Sequence, residues 1–171
     1  MSRKSSIKKI KRNNTESKNI EAALAMNLYE KNHSPITTHF TGHGLSECDV
    51  ISISKSNFIY EYEVKISRSD FKADFKKEKH KLMLEKASVI DSNINDVWYY
   101  TPNYFYFVVP LNLVSIDEIP EYAGLIYINE LLGFETIKKA PLLHKIKATD
   151  TFIRKLSHNL TCKLVFKKVE Y

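Results

Sequence analysis

Asp49 and the triplet Glu63-Val64-Lys65 are the residues of this chain whose types and spacing best suit chemistry. If the segments carrying them pair as neighbouring strands, two carboxylates come to lie side by side. Adjacent carboxylates repel and call for a cation between them. Hard oxygen ligands with open water positions suit Mg²⁺ or Mn²⁺. Lys65 stands two residues beyond Glu63 and therefore emerges on the same strand face. An ammonium there can hold an attacking water or stabilise the charge that grows on a phosphate. Glu21 is a fourth candidate, able to complete the metal shell or orient a water.

The elements that must position these groups can be read from periodicity. Ile20, Ala23, Leu24 and Leu28 recur at helical spacing and predict an amphipathic helix over 18–31, with Ser17 as its cap. Glu21 lies at the border of the apolar stripe, a costly place for a carboxylate without a partner. Ser34-Pro35 breaks the chain before a short strand, 36–40, and Thr41-Gly42-His43-Gly44 reads as a turn. Residues 47–54 alternate, with Asp49, Ile51 and Ile53 on one face. Residues 58–66 are rich in β-branched and aromatic side chains and read as a strand. Its period of two sets Tyr60, Tyr62, Val64 and Ile66 on one face and Glu61, Glu63 and Lys65 on the other. Charges in a buried strand demand partners; the alternative is an edge strand whose charged face is a solvated ladder.

A second helix is predicted over 68–86, with Ser67 as N-cap and Asp70 in capping-box position. Phe71, Phe75 and Leu82 mark its buried side, and Lys72, Lys76, Lys79 and His80 its outer edge. Asp70 and Asp74 could extend the metal or DNA site, but the favoured reading has Asp70 cap the helix and Asp74 pair with a lysine such as Lys77 or Lys81. Strands follow at 104–109, ended by Pro110, and at 123–128. A last helix is predicted over 149–168, seamed by Phe152, Leu156, Leu160 and Leu164. Residues 1–16 are basic and lack apolar periodicity, so they read as a flexible tail before a single domain over 17–171.

The net charge of +6 is unevenly spread. Residues 1–12 hold six basic residues and no acid, residues 91–135 seven acids and no Lys or Arg, and residues 136–169 nine basic residues and only Asp150. Clustered lysines displace counterions from a polyanion, so a nucleic-acid partner accounts for this segregation, although lysine-rich surfaces are also often merely solvated. Ser67, Arg68, Lys72, Lys76, Lys79 and His43 are the candidate backbone contacts. Trp98, Tyr99 and Tyr100 could stack on unpaired bases, whereas Tyr104 and Tyr106 fit core packing. The two cysteines, Cys48 and Cys162, match neither a zinc box nor a disulfide framework. The His39–His43 pair spans a glycine turn, which excludes a zinc pair on one helix face. No apolar run is long enough to cross a bilayer, and no secretory segment follows the charged N-terminus, so a cytoplasmic setting without membrane contact is expected.

The pattern resembles the PD-(D/E)xK nuclease superfamily and, within it, the MmcB-type DNA-repair nuclease group. The resemblance rests on Cys48-Asp49-Val50 and on the run from Glu63 to Asp74, EVKISRSDFKAD, and extends to Tyr104–Pro110. It covers roughly residues 18–110 and is looser beyond. Cys48 replaces the superfamily's proline, a loss of backbone stiffness rather than of chemistry, and the connection from Lys79 to Asn103 is longer than usual. The resemblance implies an α/β, restriction-endonuclease-like core in the order αβββαβ, with a mixed central sheet flanked by helices. It implies that Asp49 and Glu63 bind Mg²⁺ or Mn²⁺, that Lys65 is the catalytic lysine, and that Glu21 is the helix acid. The expected activity is hydrolysis of DNA phosphodiester bonds. The rival expectations are a non-catalytic nucleic-acid-binding module on the same fold and a protein-interaction factor that docks through its acidic segment. Oligomeric state is not legible in the sequence.

Overall fold

The computed structural model describes residues 2–41, 47–85, 90–94 and 97–166. A six-stranded mixed sheet forms the centre, flanked by helices on both faces. In chain order the elements are α1 (Ser2–Glu30), β1 (Ile36–Thr41), β2 (Glu47–Ile53), β3 (Ile59–Val64), α2 (Arg68–Asp74), α3 (Lys79–Leu84), β4 (Ile90–Ile94), β5 (Val97–Tyr100), β6 (Tyr104–Pro110), β7 (Ala123–Ile128), β8 (Phe134–Lys138) and α4 (Asp150–Phe166). Across the main sheet the order is β1-β2-β3-β6-β7-β8, while β4 and β5 form a separate two-stranded sheet. β3, β6 and β7 are parallel, and the other pairings are antiparallel.

The parallel strands are central, which explains the unbroken apolar run of β6: both of its faces must be covered. Phe105, Phe107 and Val109 pack with Phe71 of α2 and Met83 of α3. Val108 turns to the other face, where Ile20, Leu24 and Leu28 of α1 meet Val50, Tyr62 and Val64. These three α1 side chains, spaced four apart, lie in one row, and burying each is worth roughly 1.5–3 kcal/mol. Phe152 and Leu156 of α4 pack on Ile51, Ile53 and Ile59.

Several expectations need correction. The helix expected over 68–86 is broken by a turn at 75–78, so α2 and α3 are separate. Phe75 is partly exposed, and Met83 takes the buried place assigned to Leu82, whereas Lys79 and His80, expected on the outer edge, are buried. A continuous helix rotates roughly 100° per residue and would aim Lys79 about 140° away from Asp74. The turn lets Asp74 reach Lys65 while Lys79 reaches Glu63, itself a partner of Lys65. α1 starts at Ser2, so the segment expected as a tail extends the first helix; lysine and arginine are good helix formers once a nucleus exists. α4 starts at Asp150, one residue after the predicted start, and the basic residues 139–149 before it are non-helical. Its seam is buried only at Phe152 and Leu156, while Leu164 is exposed. Strands β4, β5 and β8 were not anticipated.

Candidate functional site

The site forms where β2 and β3 part. Their register runs from Ile53↔Ile59 to Val50↔Tyr62 and goes no further. Beyond it the Val64 N–H donates to Asp49 Oδ2 at 2.7 Å, so a carboxylate takes the place a ladder carbonyl would occupy. This anchors Asp49 beside the end of β3. Lys65 follows directly, and its Nζ lies 2.6 Å from Glu63 Oε2, 2.9 Å from Asp74 Oδ1 and 3.8 Å from Asp49 Oδ2. Asp49, Glu63 and Lys65 therefore converge, as the face assignment required.

Glu63 is fully buried. Besides Lys65, its Oε2 accepts from Lys77 at 3.2 Å, and its Oε1 accepts from Lys79, which also donates to Glu61 at 2.7 Å. Burial alone would push the Glu63 carboxyl up, but the ammoniums of Lys79, Lys65 and Lys77 reverse this and hold it below the usual carboxylate range. Lys65 and Lys79 are pressed down by burial and raised more strongly by their carboxylate partners, so both stay ammonium. Asp74 is likewise lowered: hydrogen bonds from His80, Lys77 and Lys65 and the Lys65 charge outweigh its burial. Behind it, His80 Nε2 stands 2.9 Å from Asp74 Oδ2, and Tyr122 Oη 2.8 Å from His80 Nδ1. Tyr122, His80 and Asp74 thus back up Lys65 from the core.

Asp49 behaves differently. Its carboxyl is pushed up to about 7, by burial first and then by the nearby charge of Glu63, against the opposing pull of Lys65 and the Val64 N–H; Glu21 adds a smaller push. Glu21 reaches the same place from α1. It accepts from Ser17 Oγ at 2.9 Å and lies 2.8 Å from His39 Nε2. His39 Nδ1 in turn faces Glu47 at 3.1 Å. One donor atom each from Glu21, His39 and Asp49 lies within 4.8 Å of the others.

This bears on which residues fit a divalent cation. Two carboxylates and an imidazole make a suitable donor set. Glu63 does not fit as drawn from the sequence, since both its oxygens are engaged by ammoniums. Its role here is to hold lysines.

The remaining candidates divide. Ser67 caps α2 by accepting from Asp70 N–H at 3.2 Å. Arg68 donates to Leu113 O and is paired with Glu118, so its guanidinium is already engaged. Lys72 and Lys76 are exposed. Lys79 is no surface contact, being buried against Glu61 and Glu63. His43 lies outside the described residues, as do the side chains of Trp98, Tyr99 and Tyr100. Sequence reasoning missed His39 and His80 and undervalued Asp74, although the pairing expected between Asp74 and Lys77 is present at 2.6 Å. A signal existed: Glu61 and Glu63 in a buried strand required cations, and Lys77 and Lys79 repeat their spacing of two.

No family model matches the chain, and no curated protein matches it. Among solved structures it is similar to a protein of unknown function from Silicibacter pomeroyi, with a TM-score of 0.51 and 18% identity over 77% of this chain and 75% of that one. At that identity the likeness concerns the fold alone. Among the described residues, no helix is long and apolar enough to cross a membrane.

Proposed function

We propose that the chain is a metal-dependent nuclease of the PD-(D/E)xK type, hydrolysing phosphodiester bonds in DNA on a restriction-endonuclease-like core. The observation that carries this reading is the convergence of Asp49, Glu63 and Lys65 where β2 and β3 separate, with Glu21 arriving from α1. The order of the first elements, helix, three strands, helix and later a parallel strand, agrees with it.

Asp49 and Glu21 supply carboxylate oxygens for Mg²⁺ or Mn²⁺. A cation bound there supplies positive charge that draws electron density from the phosphate. Lys65 Nζ, held by Glu63 and Asp74, is fixed in place with an N–H left to meet a phosphate oxygen or a water. Because Lys65 remains an ammonium, it serves as donor and charge stabiliser rather than as a base. Exposed Lys72 and Lys76 on α2 and the segment after it are suited to holding the DNA backbone without reading sequence.

A second reading has its own support. Three ammoniums saturate Glu63, which is how a structural ion network would look, and a non-catalytic nucleic-acid-binding module would keep that network. Labelled single-stranded, duplex and branched DNA should be incubated with Mg²⁺, Mn²⁺ or EDTA, using wild type, Asp49→Ala and Lys65→Ala. The nuclease reading requires cleavage that EDTA and either substitution abolish. Binding without cleavage in every metal would replace it with the second reading.

A further inference from the structure

We infer that Glu21, His39 and Asp49 form a mixed nitrogen–oxygen cation site that takes Mn²⁺ in preference to Mg²⁺, an inference that rests on the metal-dependent reading above. The usual expectation for an Asp…Glu-x-Lys sequence is a cation between the two strand carboxylates. Here the second carboxylate is withdrawn: Glu63 has no solvent exposure and spends both oxygens on ammoniums. His39 stands in its place.

Three observations support this ligand set. Donor atoms of the three residues already lie within 4.8 Å of one another. Three donors about 2.1 Å from one ion would be roughly 3–4 Å apart, so small side-chain rotations suffice. The two ring nitrogens of His39 are distinguished by their neighbours: Nε2 faces Glu21 at 2.8 Å and Nδ1 faces Glu47 at 3.1 Å. A Nδ1–H donated to Glu47 leaves the Nε2 lone pair for the cation, the arrangement in which an outer carboxylate orients a ligating histidine. Lys65 Nζ is 3.8 Å from Asp49 Oδ2, beyond hydrogen-bond distance, and is tethered by Glu63 and Asp74 instead.

The imidazole decides selectivity. Mg²⁺ favours all-oxygen shells and retains its waters, whereas a nitrogen donor favours first-row transition ions. His39 also has a left-handed backbone within β1, φ 46°, which asparagine tolerates well, so His39→Asn removes the imidazole while respecting that backbone conformation. Glu47 is half exposed, so Glu47→Gln perturbs the outer carboxylate without touching the core.

The test is Mn²⁺ titration of the full chain, following free Mn²⁺ by electron paramagnetic resonance, with Mg²⁺ as competitor and circular dichroism to verify folding. Wild type should bind Mn²⁺ and release it only to a large excess of Mg²⁺. His39→Asn should weaken Mn²⁺ about tenfold or more and narrow the Mn²⁺–Mg²⁺ gap, and Glu47→Gln should act in the same direction, within about 10–100-fold. A folded His39→Asn protein that binds Mn²⁺ as wild type does overturns the inference, as does wild type that binds no Mn²⁺. DNA cleavage measured on the same samples separates the two readings. Cleavage with His39-independent Mn²⁺ binding sinks this inference alone. His39-dependent binding without cleavage upholds the site and sinks the nuclease reading.

Discussion

Replacing Lys79 by methionine should cost this protein more stability than any exposed lysine substitution. Lys79 is buried, and its ammonium is shared between Glu61 and Glu63, which are themselves buried. Methionine fills much the same volume but leaves two buried carboxylates short of a countercharge. Breaking a buried pair by removing one partner costs about 3–5 kcal/mol. At the roughly 2–4 °C per kcal/mol of a domain this size, the melting temperature should fall by roughly 10 °C. The loss also has a pH signature. In wild type, the depressed carboxyl of Glu63 contributes stability above its unfolded value of 4.5, and that contribution fades as pH falls through the folded value. Without Lys79 the Glu63 carboxyl moves up, so the variant's deficit is largest near pH 7 and shrinks toward pH 4, where a proton replaces the lost ammonium. Urea denaturation of wild type and Lys79→Met at both pH values measures this directly. A deficit under about 0.5 kcal/mol at pH 7, the range of ordinary surface substitutions, would refute the assignment of Lys79 as the countercharge of this cluster.

Other outcomes follow from the same geometry. Asp49 titrates near 7 because burial and Glu63 disfavour its charge; cation affinity should therefore rise as pH passes through about 7. In EDTA, Asp49→Asn should be more stable than wild type at pH 8, by up to about 4 kcal/mol, with the gap closing near pH 4, as denaturation curves would reveal. Tyr122→Phe removes the hydrogen bond to His80 and should cost about 1 kcal/mol; because His80 and Asp74 hold Lys65, its effect on cleavage should appear in kcat with KM unchanged. Lys72→Ala with Lys76→Ala should leave stability within about 0.5 kcal/mol but reduce the salt dependence of DNA binding, read from the slope of log K against log salt.

Local pattern made much of this protein legible. The alternation of 58–66 placed Glu61, Glu63 and Lys65 on one face, and the structure keeps them there, because strand geometry sends successive side chains to opposite sides whatever they meet. Ile20, Leu24 and Leu28 marked the buried row of α1, and the apolar run 104–109 marked a strand buried on both faces. Ser67 was recognisable as a cap because capping is a contact between near neighbours. What the sequence could not supply was the partner of each charge. Whether Glu63 meets a cation or a lysine depends on where the chain returns after α2, and only the turn at 75–78 brings Lys77 and Lys79 back to it. His39 reaches Glu21 and Asp49 only because α1, β1 and β2 assemble there, which no spacing within one element encodes. Period and propensity act over a few residues and survive in any fold, whereas the electrostatics of a buried site are set by groups far apart in the chain, and these become neighbours only when the core closes.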